Sequence, residues 1–235
     1  MLAAAFVLAC VSSAAAAPAV NGTFLVPGVE TNNKIVAGPD GKMWVATSEE
    51  VLRFSPSTPM IQEPKIIAEL SPRDIDVAGS LVVVADAGKP RIVTLTTALG
   101  FGEKDLPIAI VGASQGVAGS PAGQIAFSDP GAVPEQIGLI TPPNPAQTSE
   151  QLGDPFGVAL GADQAFWFAQ FVQGGVTRLT SAGQKTLLTG LPKESPRQIA
   201  AGPGNTLWVT LVKAGEEGVA RISGLEPPLP PPPPV

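Results

Sequence analysis

The chain has no histidine and no tyrosine, and its single cysteine is Cys10. Without histidine there is no imidazole to serve as general base near neutral pH, to activate a serine nucleophile or to ligate zinc. A lone thiol closes no intrachain disulfide, so stability must come from burial and hydrogen bonding. Charge is scarce too: 14% of residues carry it, and the acidic ones outnumber the basic ones by 20 to 14. With a net charge of −6 there is no cluster of Lys and Arg to neutralise phosphates, which argues against nucleic acid as a ligand.

What the chain does have is apolar residues (44%) and many turn formers, with 26 glycines and 26 prolines in 235 residues. That is enough for one well-buried domain of short strands joined by tight turns. The first charged residue is Glu30, and residues 1–17 read as an export leader, with an apolar core and an A-x-A site at Ala14 to Ala16. The expected location is therefore secreted or at the cell surface. Two other readings of this segment stay open: an uncleaved membrane anchor, and a lipoprotein box at Val7-Leu8-Ala9-Cys10. No other membrane association is expected.

Five segments repeat one another. Their short apolar runs end at Gly38 in IVAGPDGKMWVA, Gly79 in DVAGSLVVVAD, Gly119 in GVAGSPAGQIAFSD, Gly161 in GVALGADQAFWFA and Gly202 in IAAGPGNTLWVT, in steps of 41, 40, 42 and 41 residues. A period in the forties with several β-rich runs per unit is the signature of a β-propeller. Each unit parses into four runs. The inner run leads to the aligned glycine, and a turn such as Pro39-Asp40-Gly41 brings in a second run with large residues, as in Met43-Trp44-Val45. Third runs are Val51 to Phe54, Arg91 to Leu95, Ile137 to Ile140, Val176 to Leu179 and Val219 to Ile222. More variable fourth runs are Lys65 to Ala68, Pro107 to Ile110 and Thr186 to Leu188.

The expected fold is all-β: a propeller of four-stranded blades over residues 18–225, five blades in number. The fifth unit stops after its third strand, and Thr23-Phe24-Leu25-Val26 supplies a closing N-terminal strand. A five-repeat piece of a larger propeller is the alternative. Residues 226–235, EPPLPPPPPV, form a polyproline linker or tail.

GPDGKMWVA, PFGVALGADQAFWFA followed by GVTRLT, and QIAAGPGNTLWVT followed by GVARIS resemble the repeats of the virginiamycin B lyase-like propellers. The resemblance covers nearly all of residues 33 to 223 and implies that fold. The family's lyase depends on histidines with a carboxylate and a divalent metal, and this chain has none of the histidines. Related gluconolactonase-type propellers use carboxylate and Asn ligands instead, so the resemblance leaves a metal-dependent enzyme open.

Trp44, Trp167 and Trp208 share one position of the second strand, so all three are expected to pack between blades. Arg53, Arg178 and Arg221 recur on the third strand and are expected to make repeat-specific pairs. On the disc face that leads into the first strands stand Asn33, Asp74, Ser114, Phe156 and Arg197, the candidate ligand-binding face. Positions leaving the second strand are Thr47, Asp86, Asp129, Gln170 and Leu211. Asp74, Asp76, Asp86 and Asp129 could together offer acidic oxygens to Ca²⁺ or Mg²⁺; each also reads as a loop carboxylate or turn cap.

Three functions follow. The first is a secreted, non-catalytic propeller that binds a protein or small-molecule partner. The second is a divalent-metal lyase or lactonase-type hydrolase at the channel mouth. The third is a propeller module of a larger surface protein.

Overall fold

Alternation decides which side of each strand is buried, and the register repeats from unit to unit. The computed structural model describes residues 34–58, 70–97, 103–105, 112, 114–142, 147–150, 153–191, 195–213 and 216–226. All of the regular structure among them is β. The first blade is β1 (Ile35–Ala37), β2 (Met43–Ala46) and β3 (Val51–Phe54). The second is β4 (Pro72–Ala78), β5 (Leu81–Asp86), β6 (Arg91–Thr96) and β7 (Glu103–Asp105). The third is β8 (Gly116–Gly119), β9 (Ile125–Asp129), β10 (Gln136–Ile140) and β11 (Gln147–Glu150). The fourth is β12 (Pro155–Leu160), β13 (Phe166–Gln170), β14 (Gly175–Leu179) and β15 (Lys185–Leu188). The fifth is β16 (Ser195–Gly202), β17 (Thr206–Lys213) and β18 (Glu216–Ile222). Each blade is an antiparallel meander in chain order.

The repeat frame read from the sequence thus becomes five blades, with all five third strands where they were expected. In the second blade the fourth strand differs. The run Pro107 to Ile110 was expected there, but Glu103 to Asp105 pairs with Leu95 to Val93. Lys65 to Ala68, Pro107 to Ile110, the closing run Thr23 to Val26, the leader, Asn33 and the tail from Pro227 lie outside the described residues.

Four apolar layers join the five blades, each built from one face of one sheet and the opposite face of the next. Trp44, Ala46 and Val51 meet Ile75, Val82 and Val84. The other face of β5, Val83 and Ala85, meets Val117, Ile125 and Phe127. Ala118, Ala126 and Ile137 meet Val158, Phe166 and Phe168. Finally Trp167, Ala169 and Val176 meet Ile199, Leu207, Val209 and Leu211. Because side chains alternate, one strand serves two layers: β13 sends Phe166 and Phe168 back to the third blade, and Trp167 and Ala169 forward to the fifth.

Inner strands of adjacent blades come close enough to require glycine. A Cβ on Gly119 would strike the Val77 carbonyl of the preceding blade, and one on Gly116 would strike the Phe156 carbonyl of the following blade. The aligned glycine of the third repeat is therefore a packing residue as well as a turn marker.

Candidate functional site

One side-chain constellation is built twice. In the first blade Asp40, in the turn after β1, accepts hydrogen bonds from Trp44 Nε1 at 3.0 Å and from Arg53 at 3.1 Å. The guanidinium lies over the indole, 5.2 Å from its centre. In the fourth blade Asp163 accepts from Trp167 Nε1 at 3.1 Å and from Arg178 Nε at 2.7 Å, with that guanidinium 5.9 Å over the ring. Strand register makes this possible, since Trp44 faces Arg53 and Trp167 faces Arg178 across the second hairpin. Burial alone would raise the Asp40 carboxyl, but the Trp44 indole, the Lys42 N–H and the Arg53 charge outweigh it and hold it below its ordinary value.

The fifth blade keeps the tryptophan and the arginine and loses the acid. Trp208 faces Arg221 in the same register, but the position of Asp40 and Asp163 is held by Gly204. The expectation that all three tryptophans are packed between blades is therefore corrected. Trp44 and Trp167 are buried, whereas Trp208 is 41% exposed. Its face of β17 and β18 has no described blade against it, and Val212 and Val219 on that side are exposed as well. The expected arginine pairing likewise holds for Arg53 and Arg178 and fails for Arg221, which is exposed and has no ion pair among the described residues.

The four carboxylates proposed as a shared cation site do not converge; among the described residues no three of Asp, Glu and Cys do so. Each accepts a hydrogen bond from at least one backbone N–H group instead, with the buried Oδ1 of Asp129 making no hydrogen bond among the described residues. Asp74 accepts from Val117 N at 2.9 Å and Asp76 from Gly119 N at 3.0 Å, so both fasten the second blade to the third. Asp86 caps the loop after β5, accepting from Ser71 N and Gly88 N at 3.0 Å each, and pairs with Arg91 at 2.9 Å. Asp129 accepts from Gly112 N at 3.1 Å. The equivalent Thr47 caps its loop in the same way, through the Glu50 N–H. Gln170, at this position in the fourth blade, is fully buried; its amide nitrogen donates to Thr177 Oγ1 at 3.1 Å.

Of the candidate binding face, the structure brings Phe156 and Arg197 together and buries Ser114. Inner strands β4, β12 and β16 each carry a register irregularity at this end, between Pro72 and Asp74, Pro155 and Val158, and Pro196 and Ile199. Such bulges re-aim side chains. The Arg197 guanidinium lies 4.9 Å over Phe156 and 5.8 Å from the Phe171 ring. The Ser114 hydroxyl is donated to the Ser128 carbonyl at 2.9 Å.

A cleft of about 330 Å³ opens beside the fifth blade. Trp208, Val219 and Val158 supply apolar wall; Lys34, Asp74 and Gln198 supply polar groups. Lys34, at the head of β1, is bridged to Asp74 at 3.0 Å. Burial pushes the Asp74 carboxyl above its ordinary value, against the lowering pull of Lys34 and of the Val117 N–H. The cleft thus pairs a mostly apolar surface with one ion pair whose carboxylate is largely buried and whose lysine reaches solvent, at the volume of a small-ligand or side-chain pocket.

No family profile and no curated protein matches the sequence. Solved structures do match in fold. One is a virginiamycin B lyase from Staphylococcus aureus, with a TM-score of 0.64 and 19% identity over 80% of this chain and 69% of that one. A chain of a nidogen/laminin complex matches with a TM-score of 0.61 and 16% identity, over 77% of this chain and 73% of that one. A gluconolactonase from Xanthomonas campestris matches with a TM-score of 0.61 and 13% identity, over 82% and 76%. At these identities the likeness is one of fold, a virginiamycin B lyase-like β-propeller, and folds of this kind host both enzymes and binding modules.

Proposed function

We propose that this chain is a non-catalytic β-propeller binding module, exported to the cell surface or beyond, whose partner docks on the open side of the fifth blade. The observation that carries the reading is Trp208, the second-strand tryptophan of the fifth blade, 41% exposed on the wall of a cleft of about 330 Å³. A large indole left half in water is an unsatisfied apolar surface, and tryptophan anchors dominate binding hot spots. Binding is favoured over catalysis by how the polar groups are used. The chain has no imidazole, and Asp74, Asp76 and Asp86 are occupied with N–H groups that hold blades and loops together. Export rests on the leader pattern of residues 1–17.

The test uses a neutral apolar dye such as Nile red. The parent should raise its fluorescence, and Val219→Lys, which puts a charge on an exposed wall position, should abolish the rise without lowering the melting temperature. A rise that survives both Val219→Lys and Trp208→Ser, or no rise in the parent, would overturn the reading.

A further inference from the structure

The fifth blade repeats the tryptophan and the arginine of a constellation that two other blades complete with an aspartate. In the first and fourth blades the tryptophan N–H and the arginine guanidinium converge on one aspartate. In the fifth, Trp208 and Arg221 stand in the same cross-strand register, and Trp208 stands against Ala200 as Trp167 does against Ala159. The indole is turned the same way too. A Cβ built on Gly202 would strike Cδ1 and Nε1 of Trp208, as one on Gly38 would strike those atoms of Trp44. At Gly38 and at Gly161 the aspartate Oδ1 lies in that same contact zone, while at Gly202 the third neighbour is the Thr206 hydroxyl, already donated to the Pro203 carbonyl at 2.9 Å.

The local turn does not supply the missing acid. Gly204 and Asn205 both have positive φ, 69° and 54°, in a turn of the same span as the one that carries Asp40, which closes from Gly38 to Lys42 as this one does from Gly202 to Thr206. Among the described residues neither Trp208 Nε1 nor the Arg221 guanidinium has a hydrogen-bond or ion-pair partner. Both border the open apolar face formed with Val219.

We propose that the partner of this face is a polypeptide that inserts an aspartate side chain between Trp208 Nε1 and Arg221, reproducing in trans the arrangement that Asp40 and Asp163 make in cis. The proposal rests on the binding reading above and adds the chemistry of recognition. An aspartate fits for three reasons. The two built copies take that side chain, and the exposed cation is an arginine, whose fork suits a carboxylate. The cleft beside it accepts an apolar neighbour on the same segment.

The probe is the acetylated, amidated hexapeptide Gly-Pro-Asp-Gly-Lys-Met, which is the first blade's own turn, residues 38–43. Its counterpart has asparagine in place of aspartate. The indole N–H resonance of Trp208, assigned by its loss in Trp208→Phe, reports binding. The aspartate peptide should shift that resonance and leave those of Trp44 and Trp167 in place, with at least a tenfold lower Kd than the asparagine peptide. Arg221→Gln should remove the preference while Nile red still binds. Equal affinity for the two peptides, or a preference unchanged in Arg221→Gln, would overturn the carboxylate proposal. If the dye still binds in that case, the open-face reading survives; if it does not, both fall.

Discussion

Trp167 and Trp208 occupy the same register position one blade apart, yet Trp167 is 5% exposed and Trp208 is 41% exposed. The difference comes from what lies against the strand: β16 and β17 cover Trp167, and no described strand covers Trp208. Replacing each by alanine should therefore give unequal losses. Trp167→Ala should cost about 3–5 kcal/mol, the usual range for emptying an aromatic core site, and Trp208→Ala no more than about 1 kcal/mol, as at a half-solvated position. Denaturant unfolding of the two variants checks this, and equal losses would mean that Trp208 is packed in solution.

The first blade's triad offers a sharper electrostatic test than the fourth's. The Arg53 side chain is 4% exposed and that of Arg178 is 33% exposed. Asp40→Asn removes the Asp40 charge from beside a buried guanidinium that keeps the Thr97 carbonyl and should cost about 3 kcal/mol, whereas Asp163→Asn leaves a cation that water can reach and should cost about 1 kcal/mol. Adding Arg53→Met to Asp40→Asn should recover part of the loss, because the buried charge is then gone. A double variant less stable than the single one would show that Arg53 contributes chiefly through its packing on Trp44.

Much of this architecture can be read from the chain alone, because the repeat constrains it at every level. The aligned glycines, the second-strand tryptophans and the third-strand arginines all fall on equivalent positions, and the blade layers follow from strand alternation. The exposure of Trp208 could not be read that way, since burial depends on the neighbouring blade rather than on the local run. The carboxylates misled for a related reason. Asp74, Asp76, Asp86 and Asp129 are the right residue types for a cation, but sequence spacing does not say that an N–H of an adjacent strand or loop already bonds to at least one oxygen of each. The loss of the acid in the fifth blade was visible, as Asp40, Asp163 and Gly204 align; its meaning required the Asp–Trp–Arg geometry of the other two.

Close approach of inner strands predicts an intolerant glycine. Gly119→Ala would drive a Cβ into the Val77 carbonyl, backbone against backbone, at the point where Asp76 also holds the Gly119 N–H. The loss should exceed about 3 kcal/mol, beyond ordinary overpacking. Gly41→Ala has open space around it but a φ of 72°, and should cost about 1–2 kcal/mol from backbone strain alone. Thermal unfolding of the pair separates collision from strain; comparable losses would contradict the close approach.

Two aspartates should give opposite pH dependences. Asp40 is held below its ordinary value of 3.8, so its stabilising contribution is complete above that value and fades as pH falls through the lowered folded-state value. Asp74 is raised above 3.8, chiefly by burial. The folded chain therefore holds that proton more tightly than the unfolded one, and stability falls as pH rises from 3.8 through the raised value. Asp74→Asn keeps an oxygen acceptor for the Val117 N–H and removes the buried charge, while the Lys34 it releases is 41% exposed and stays hydrated. At pH 7 the variant should be within about 1 kcal/mol of the parent, and the parent should gain on it as the pH is lowered across the Asp74 titration. Unfolding free energies measured from pH 3 to 8 for the parent, Asp40→Asn and Asp74→Asn decide the signs. A parent-minus-variant difference for Asp74 that grows towards neutral pH would show that the Lys34 bridge, not burial, governs this carboxylate.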